Sequence, residues 1–242
     1  MTSEMERTVG QLVAQRPSLS RVFEKHGIDY CCGGGRSLAE AGRAAGIDLE
    51  ALLREIAVEP EVPGDRDWTR ASIAETIRWI LAEHHDWLKR ELPRISSLAA
   101  KVAGVHGQGH PEMVDLAALV EAIRDEIEPH LQKEERILFP AALQLEESGT
   151  IGLSCHGGVA SLESPISVME SDHEALGRLL DRLAELTEGF EPPAHACNTW
   201  RAFYAALKEL DGNTHRHVHL ENEVLHPAIR AREAKAAAAL AN

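Results

Sequence analysis

The 242-residue chain has 39 acidic and 25 basic residues, a net charge of −14, and is 44% hydrophobic. That balance allows a substantial core and argues against nonspecific binding to nucleic acid or an anionic membrane. No apolar run approaches the length of a bilayer span, and the first residues lack the basic-then-apolar order of a secretory signal. Four Cys, two of them adjacent, are not a disulfide framework, so a cytoplasmic protein with reduced thiols is expected.

Residues 1–58 read as a small helical domain. Thr8 can cap a first helix carrying Val9, Leu12 and Val13. Pro17 suits the first turn of a second, with Leu19, Val22 and Phe23 inward and Gly27 at its end. Ser37 to Glu40 is a capping box opening a third helix, and Gly46 can end it. Asp48 caps a fourth, with Leu49, Leu52, Leu53 and Ile56. Helices this short must pack on one another or on a partner domain. Between the second and third lies Asp29-Tyr30-Cys31-Cys32-Gly33-Gly34-Gly35. Its glycines permit close backbone approach. Two thiols just before a helix N-terminus are expected to have lowered pKa values and to react with metal or oxidant, which makes Cys31 and Cys32 the candidate reactive pair.

Residues 59–68 are Pro-, Gly- and charge-rich and read as a linker. Residues 69–242 carry four long amphipathic patterns, near 69–103, 111–147, 167–187 and from 194 into the Ala-rich tail. Pro93, Pro129 and Pro140 predict bends or kinks. Two short connections and one long one, 148–165, predict an all-α protein whose main part is an antiparallel four-helix bundle. No strand pattern is evident.

Within the second and fourth patterns a motif occurs twice. His130 and Glu134 precede Ile137, Leu138 and Pro140; His217 and Glu221 precede Val224, Leu225 and Pro227. Both read H-x3-E-x2-[IV]-L-x-P, which places an imidazole and a carboxylate on one helix face. Each copy is preceded by H-[DE]-x-L, at His85 and His173, by 45 and 44 residues. The bundle thus reads as two similar hairpins that together supply His85, His130, Glu134, His173, His217 and Glu221. Four imidazoles and two carboxylates are too many for one tetrahedral zinc. They suit two octahedral ions with Glu134 and Glu221 as bridges, an oxide or water between them, and iron or manganese as the metal. His84 competes with His85, and His215 and His219 with His217; helix periodicity favours His85 and the repeat selects His217. His226 and His156 are open: groups behind the ligands, opportunistic ligands, or neither.

These residues resemble the iron-sulfur cluster repair di-iron proteins, the RIC family. Asp29-Tyr30-Cys31-Cys32-Gly33-Gly34 looks like the signature of that family's small N-terminal domain. The segments around His130 to Pro140, Pro165 to Glu174 and His217 to Pro227 look like its hemerythrin-like domain. The likeness covers nearly the whole chain and carries the family's ligands onto the same six residues. It implies a cytoplasmic protein with two non-haem iron ions joined by an oxo or hydroxo bridge. It further implies that the protein supplies iron to Fe–S clusters damaged by nitrosative or oxidative stress. Implied partners are damaged iron-sulfur proteins, NO or O2 as small ligands, and a second copy in a homodimer, with the Cys pair acting in repair. The alternative is a di-iron protein that binds NO or O2, or reduces NO. The chain reads more as an iron donor than as a turnover enzyme.

Overall fold

Residues 5–60, 65–151 and 161–240 are described in a computed structural model. Among them secondary structure is helical throughout, apart from one isolated antiparallel bridge between Thr8 and Ser37. Cys155 and His156 lie outside the described residues. The chain forms two compact units.

One unit gathers the described residues of 1–78, 142–161 and 216–242. Helix α1 spans Val9–Gln15, and Thr8 and Gln11 make the reciprocal bonds of a capping box. Pro17 starts a 3-10 turn, Pro17–Leu19, that leads into α2, Ser20–Lys25. Gly27 leaves that helix at φ +62°, a left-handed conformation that glycine adopts without steric cost. Helix α3, Leu38–Ala44, opens on the Ser37/Glu40 capping box, and α4, Leu49–Val58, on Asp48. Their apolar faces converge on Val9, Leu12, Phe23, Tyr30, Leu38, Leu52 and Ile56, and Val218 joins the same core. Chain order alone does not show this last contact, because 160 residues separate Val58 from Val218.

The other unit, 79–141 with 162–215, is the body of the four-helix bundle. The first long helix starts as α5, Ile73–Trp79, passes through a π-helical turn, Ile80–His85, and continues as α6, Asp86–His106. The second is α7, Glu112–Lys133, then a π turn, Glu134–Leu138, then α8, Phe139–Ser148. The third is α9, Glu163–Leu186, uninterrupted. The fourth is α10, Asn198–Leu220, a π turn, Glu221–Leu225, and α11, His226–Leu240. The bundle core is built from Leu88, Leu92 and Ile95 of the first helix and Met113, Val120 and Ile127 of the second. The third adds Leu176, Leu180 and Leu183, and the fourth Trp200, Phe203 and Leu207.

Pro93 and Pro129 both sit within continuous α-helix. The α-helical ladders change to π turns at three places among the described residues, one of them in the first motif just before Pro140. Two of the three stop just short of a proline, with the residues Phe139-Pro140 and His226-Pro227 following them. Proline has no N–H and its ring collides with the carbonyl four residues back, so a widened turn before it relieves the ladder. The turn Ile80–His85 has no proline at the same offset.

Candidate metal centre

In the bundle unit, His85 comes from the first helix, His130 and Glu134 from the second and His173 from the third. All four are buried. The Nε2 atoms of His85 and His130 each lie 3.3 Å from the same oxygen of Glu134, Oε2. The Nε2 of His173 faces that of His130 at 3.3 Å. The Glu134 carboxylate is where the π turn of its helix begins, and His85 ends the π turn of its own. A π turn rotates side chains out of the usual helical register, and such turns are frequent at functional sites.

Two carboxylates that the spacing argument does not name hold the rings from behind. His85 Nδ1 is 2.8 Å from Glu135 Oε1, and His130 Nδ1 is 3.3 Å from Asp172 Oδ2. Each of these acids also binds a lysine, Lys89 on Glu135 and Lys133 on Asp172. Burial pushes the Glu135 carboxyl up, but Lys89 and His85 outweigh it and leave it below its ordinary range. The hydrogen bond from His130, with Lys133, holds Asp172 down at about 2 despite its partial burial. Both are therefore anions and accept a hydrogen from Nδ1, which turns the lone pair of each Nε2 toward Glu134. The signal in the sequence is adjacency: Glu135 follows Glu134 and Asp172 precedes His173.

This donor set fits a metal cation. Lone-pair nitrogens and a carboxylate oxygen at 3.3 Å require positive charge among them, either added protons or metal ions. Several imidazolium rings crowded into one buried site would be costly. The neighbouring His84 points elsewhere, its Nδ1 lying 3.2 Å from Asn213 Oδ1.

In the other unit, His217 and Glu221 are both buried, with Nε2 2.9 Å from Oε1. Glu221 opens the third π turn, as Glu134 opens the second. His219 turns away: its Nδ1 donates to the Tyr30 carbonyl at 3.1 Å, and burial pushes its pKa down to about 4. His215, which belongs to the bundle unit, bonds to the Asp211 carbonyl at 2.9 Å. His226 is fully buried.

The Cys31–Cys32 loop is seated on this last π turn, within the same unit. Asn222 Nδ2 donates to the Cys31 carbonyl at 3.2 Å. The Glu223 carboxyl lies so close to Gly10 and Gly34 that a Cβ on either would meet it at 2.4 Å. Desolvation in that position, reinforced by Asp29, raises Glu223 to about 7. Asp29 Oδ1 accepts from the backbone N–H of Cys31 and Cys32, at 3.0 and 2.9 Å, and from the Cys31 thiol at 3.3 Å. The two sulfurs are 3.8 Å apart; Cys31 is buried and Cys32 exposed. The expectation of lowered thiol pKa values is corrected for Cys31. The Cys32 contact, burial and the Asp29 charge push it well above its ordinary value, because the loop presents a carboxylate rather than a helix N-terminus.

A buried imidazole and carboxylate set on a four-helix bundle defines a hemerythrin-type metal-binding protein. Residues 76–229 match the family described as Hemerythrin HHE cation binding domain, a stretch that holds all six residues selected by the repeat. Residues 5–59 match a second family, described as a Domain of Unknown function (DUF542). The chain is 35% identical over 228 residues to the iron-sulfur cluster repair protein YtfE of Cronobacter sakazakii, covering 94% of this chain and 98% of that one. Identity to the same-named protein of Citrobacter koseri is 36% with equal coverage. With that of Yersinia pestis it is 34%, over 91% and 95%. The chain belongs to the hemerythrin-like iron-sulfur cluster repair family.

Proposed function

We propose that this chain is a non-haem di-iron protein that repairs iron-sulfur clusters damaged by nitrosative or oxidative stress, by supplying iron to them. His85, His130, Glu134, His173, His217 and Glu221 would hold two iron ions joined by an oxo or hydroxo bridge. The observation that carries the reading is the convergence of His85 Nε2 and His130 Nε2 on Glu134, each ring held from behind by a carboxylate. The second H-x3-E pair, His217 and Glu221, repeats the imidazole–carboxylate contact. The relatives' name supports the repair role.

Iron is cargo in this reading, and the chain's task is to keep it and then give it up. Glu134 and Glu221 supply the anionic charge that retains the ions. That attraction falls in proportion when the cargo is reduced by one electron. Glu135 and Asp172 keep the imidazoles oriented through the exchange. The acidic chain, at −14, attracts cations and suits passage of iron toward and away from the site. We assign residues 1–58 to a small helical domain with the Cys31–Cys32 loop, 59–68 to a linker and 69–242 to the di-iron bundle. Cys31 and Cys32 would act in the delivery step. No helix among the described residues is long and apolar enough to cross a membrane. We place the protein in the cytoplasm, with damaged iron-sulfur proteins as recipients.

The test is reactivation of a nitric-oxide-damaged Fe–S hydratase by the iron-loaded chain. About two iron per chain are expected in the purified protein, and Glu134→Leu and Glu221→Leu should each abolish both iron retention and reactivation. Full reactivation by metal-free protein, or zinc in place of iron, would overturn the reading.

A further inference from the structure

Two pairs of side chains with potential donor atoms lie in the bundle unit, where α6 ends and α10 begins. His106 closes α6, His110 stands in the turn before α7, and His195 and Cys197 precede α10. None of them belongs to the six proposed iron ligands. The Nε2 atoms of His110 and His195 face each other at 3.3 Å, their rings nearly parallel with an interplanar angle of 24°. On the far side of the first ring, His110 Nδ1 is 2.9 Å from Glu112 Oε1. A carboxylate behind Nδ1 keeps the hydrogen there and leaves Nε2 with its lone pair, the arrangement typical of a metal-ligating histidine.

A separate pair packs on the same tryptophan. His106 Nε2 lies 3.3 Å from Cys197 Sγ. The rings of His106, His110 and His195 all pack on the indole of Trp200, with centroids 5.1, 4.9 and 5.8 Å away. Trp200 is buried in the bundle core, so a rigid residue positions rings that are themselves half-exposed or exposed. A tetrahedral zinc ion with Zn–N bonds of about 2.05 Å separates its nitrogen ligands by about 3.3 Å. That is the His110–His195 spacing. Imidazole nitrogens favour a borderline transition metal over calcium or magnesium.

We propose that His110 and His195 bind a divalent transition-metal ion of the zinc class at this end of the bundle, with Glu112 orienting His110. The competing arrangement is a bare hydrogen bond between the two imidazoles, which would need no ion.

The experiment is a Zn2+ titration of the iron-loaded full chain against a chromophoric chelator, with wild type compared to a His110→Gln/His195→Gln double variant. Wild type should take up one more Zn2+ per chain than the variant, and Zn2+ should raise the wild-type Tm but not the variant's. These positions are outside the buried core, so the variants keep the fold, which their melting curves without Zn2+ verify. Equal Zn2+ uptake by wild type and the double variant overturns the proposal.

Discussion

The backbone N–H of His226 donates to the carbonyl of Glu221, five residues back, and Phe139 makes the same bond to Glu134. The next residue in each case is proline, Pro227 and Pro140. The proline that ends each motif and the glutamate that opens its π turn are thus parts of one local device. In a regular helix the proline ring would press on the carbonyl of Glu223 or Arg136; the wider turn avoids this.

Pro140→Ala and Pro227→Ala should therefore loosen the hold on Glu134 and Glu221 without unfolding the chain. Replacing a helix-interior proline by alanine gains up to about 3 kcal/mol of helix propensity, so Tm should stay level or rise. Iron remaining after dialysis against a chelator should fall. Unchanged iron retention in both variants would separate the prolines from the site.

Asp172→Asn and Glu135→Gln keep side-chain volume but remove the charge that fixes the Nδ1 hydrogen of His130 and His85. Loss of such an orienting carboxylate costs about 10–100-fold in metal affinity. Chelator competition should show that loss in each variant, with helicity by circular dichroism unaffected. Lys133→Gln should have a smaller effect, because Lys133 reaches only Asp172 and not the imidazole.

The two adjacent thiols should differ in reactivity. Cys31 is buried, bonded to Asp29 and raised in pKa, whereas Cys32 is exposed. A thiolate, not a thiol, attacks alkylating reagents. Iodoacetamide at neutral pH should modify Cys32 well before Cys31, as read by peptide mass mapping. Equal labelling of both in the folded protein would contradict the placement of Cys31.

Gly34 is where the Cys loop meets the π turn. An added Cβ would lie 2.4 Å from Glu223 Oε1 and 2.6 Å from the Tyr30 carbonyl, and the second of these is backbone that cannot swing aside. Gly34→Ala should destabilise the loop by about 1–3 kcal/mol, the usual range for overpacking. Faster amide exchange at Tyr30 to Gly34 would report it. Gly35→Ala, with open space around it, is the control and should be neutral.

Much of the fold was legible from the chain because amphipathic period and capping are local. Thr8, Ser37 and Asp48 cap the helices expected of them, and the four long stripes are the four bundle helices. Boundaries set by loop packing were less so: α9 starts at Glu163 and α10 at Asn198, rather than near 167 and 194.

The site divides the same way. Spacing and repetition named His85, His130, Glu134, His173, His217 and Glu221, because helix geometry fixes which residues share a face. Spacing could not reveal that Glu135 and Asp172 stand behind the imidazoles, since those bonds join different helices. Nor could it show three π turns, which depend on how each helix balances its own ladder against its neighbours. The H-x3-E-x2-[IV]-L-x-P motif is thus a local statement of which groups are offered. Their tautomers, their charge and the close approach of two rings to one carboxylate are decided only when the helices pack and exclude water.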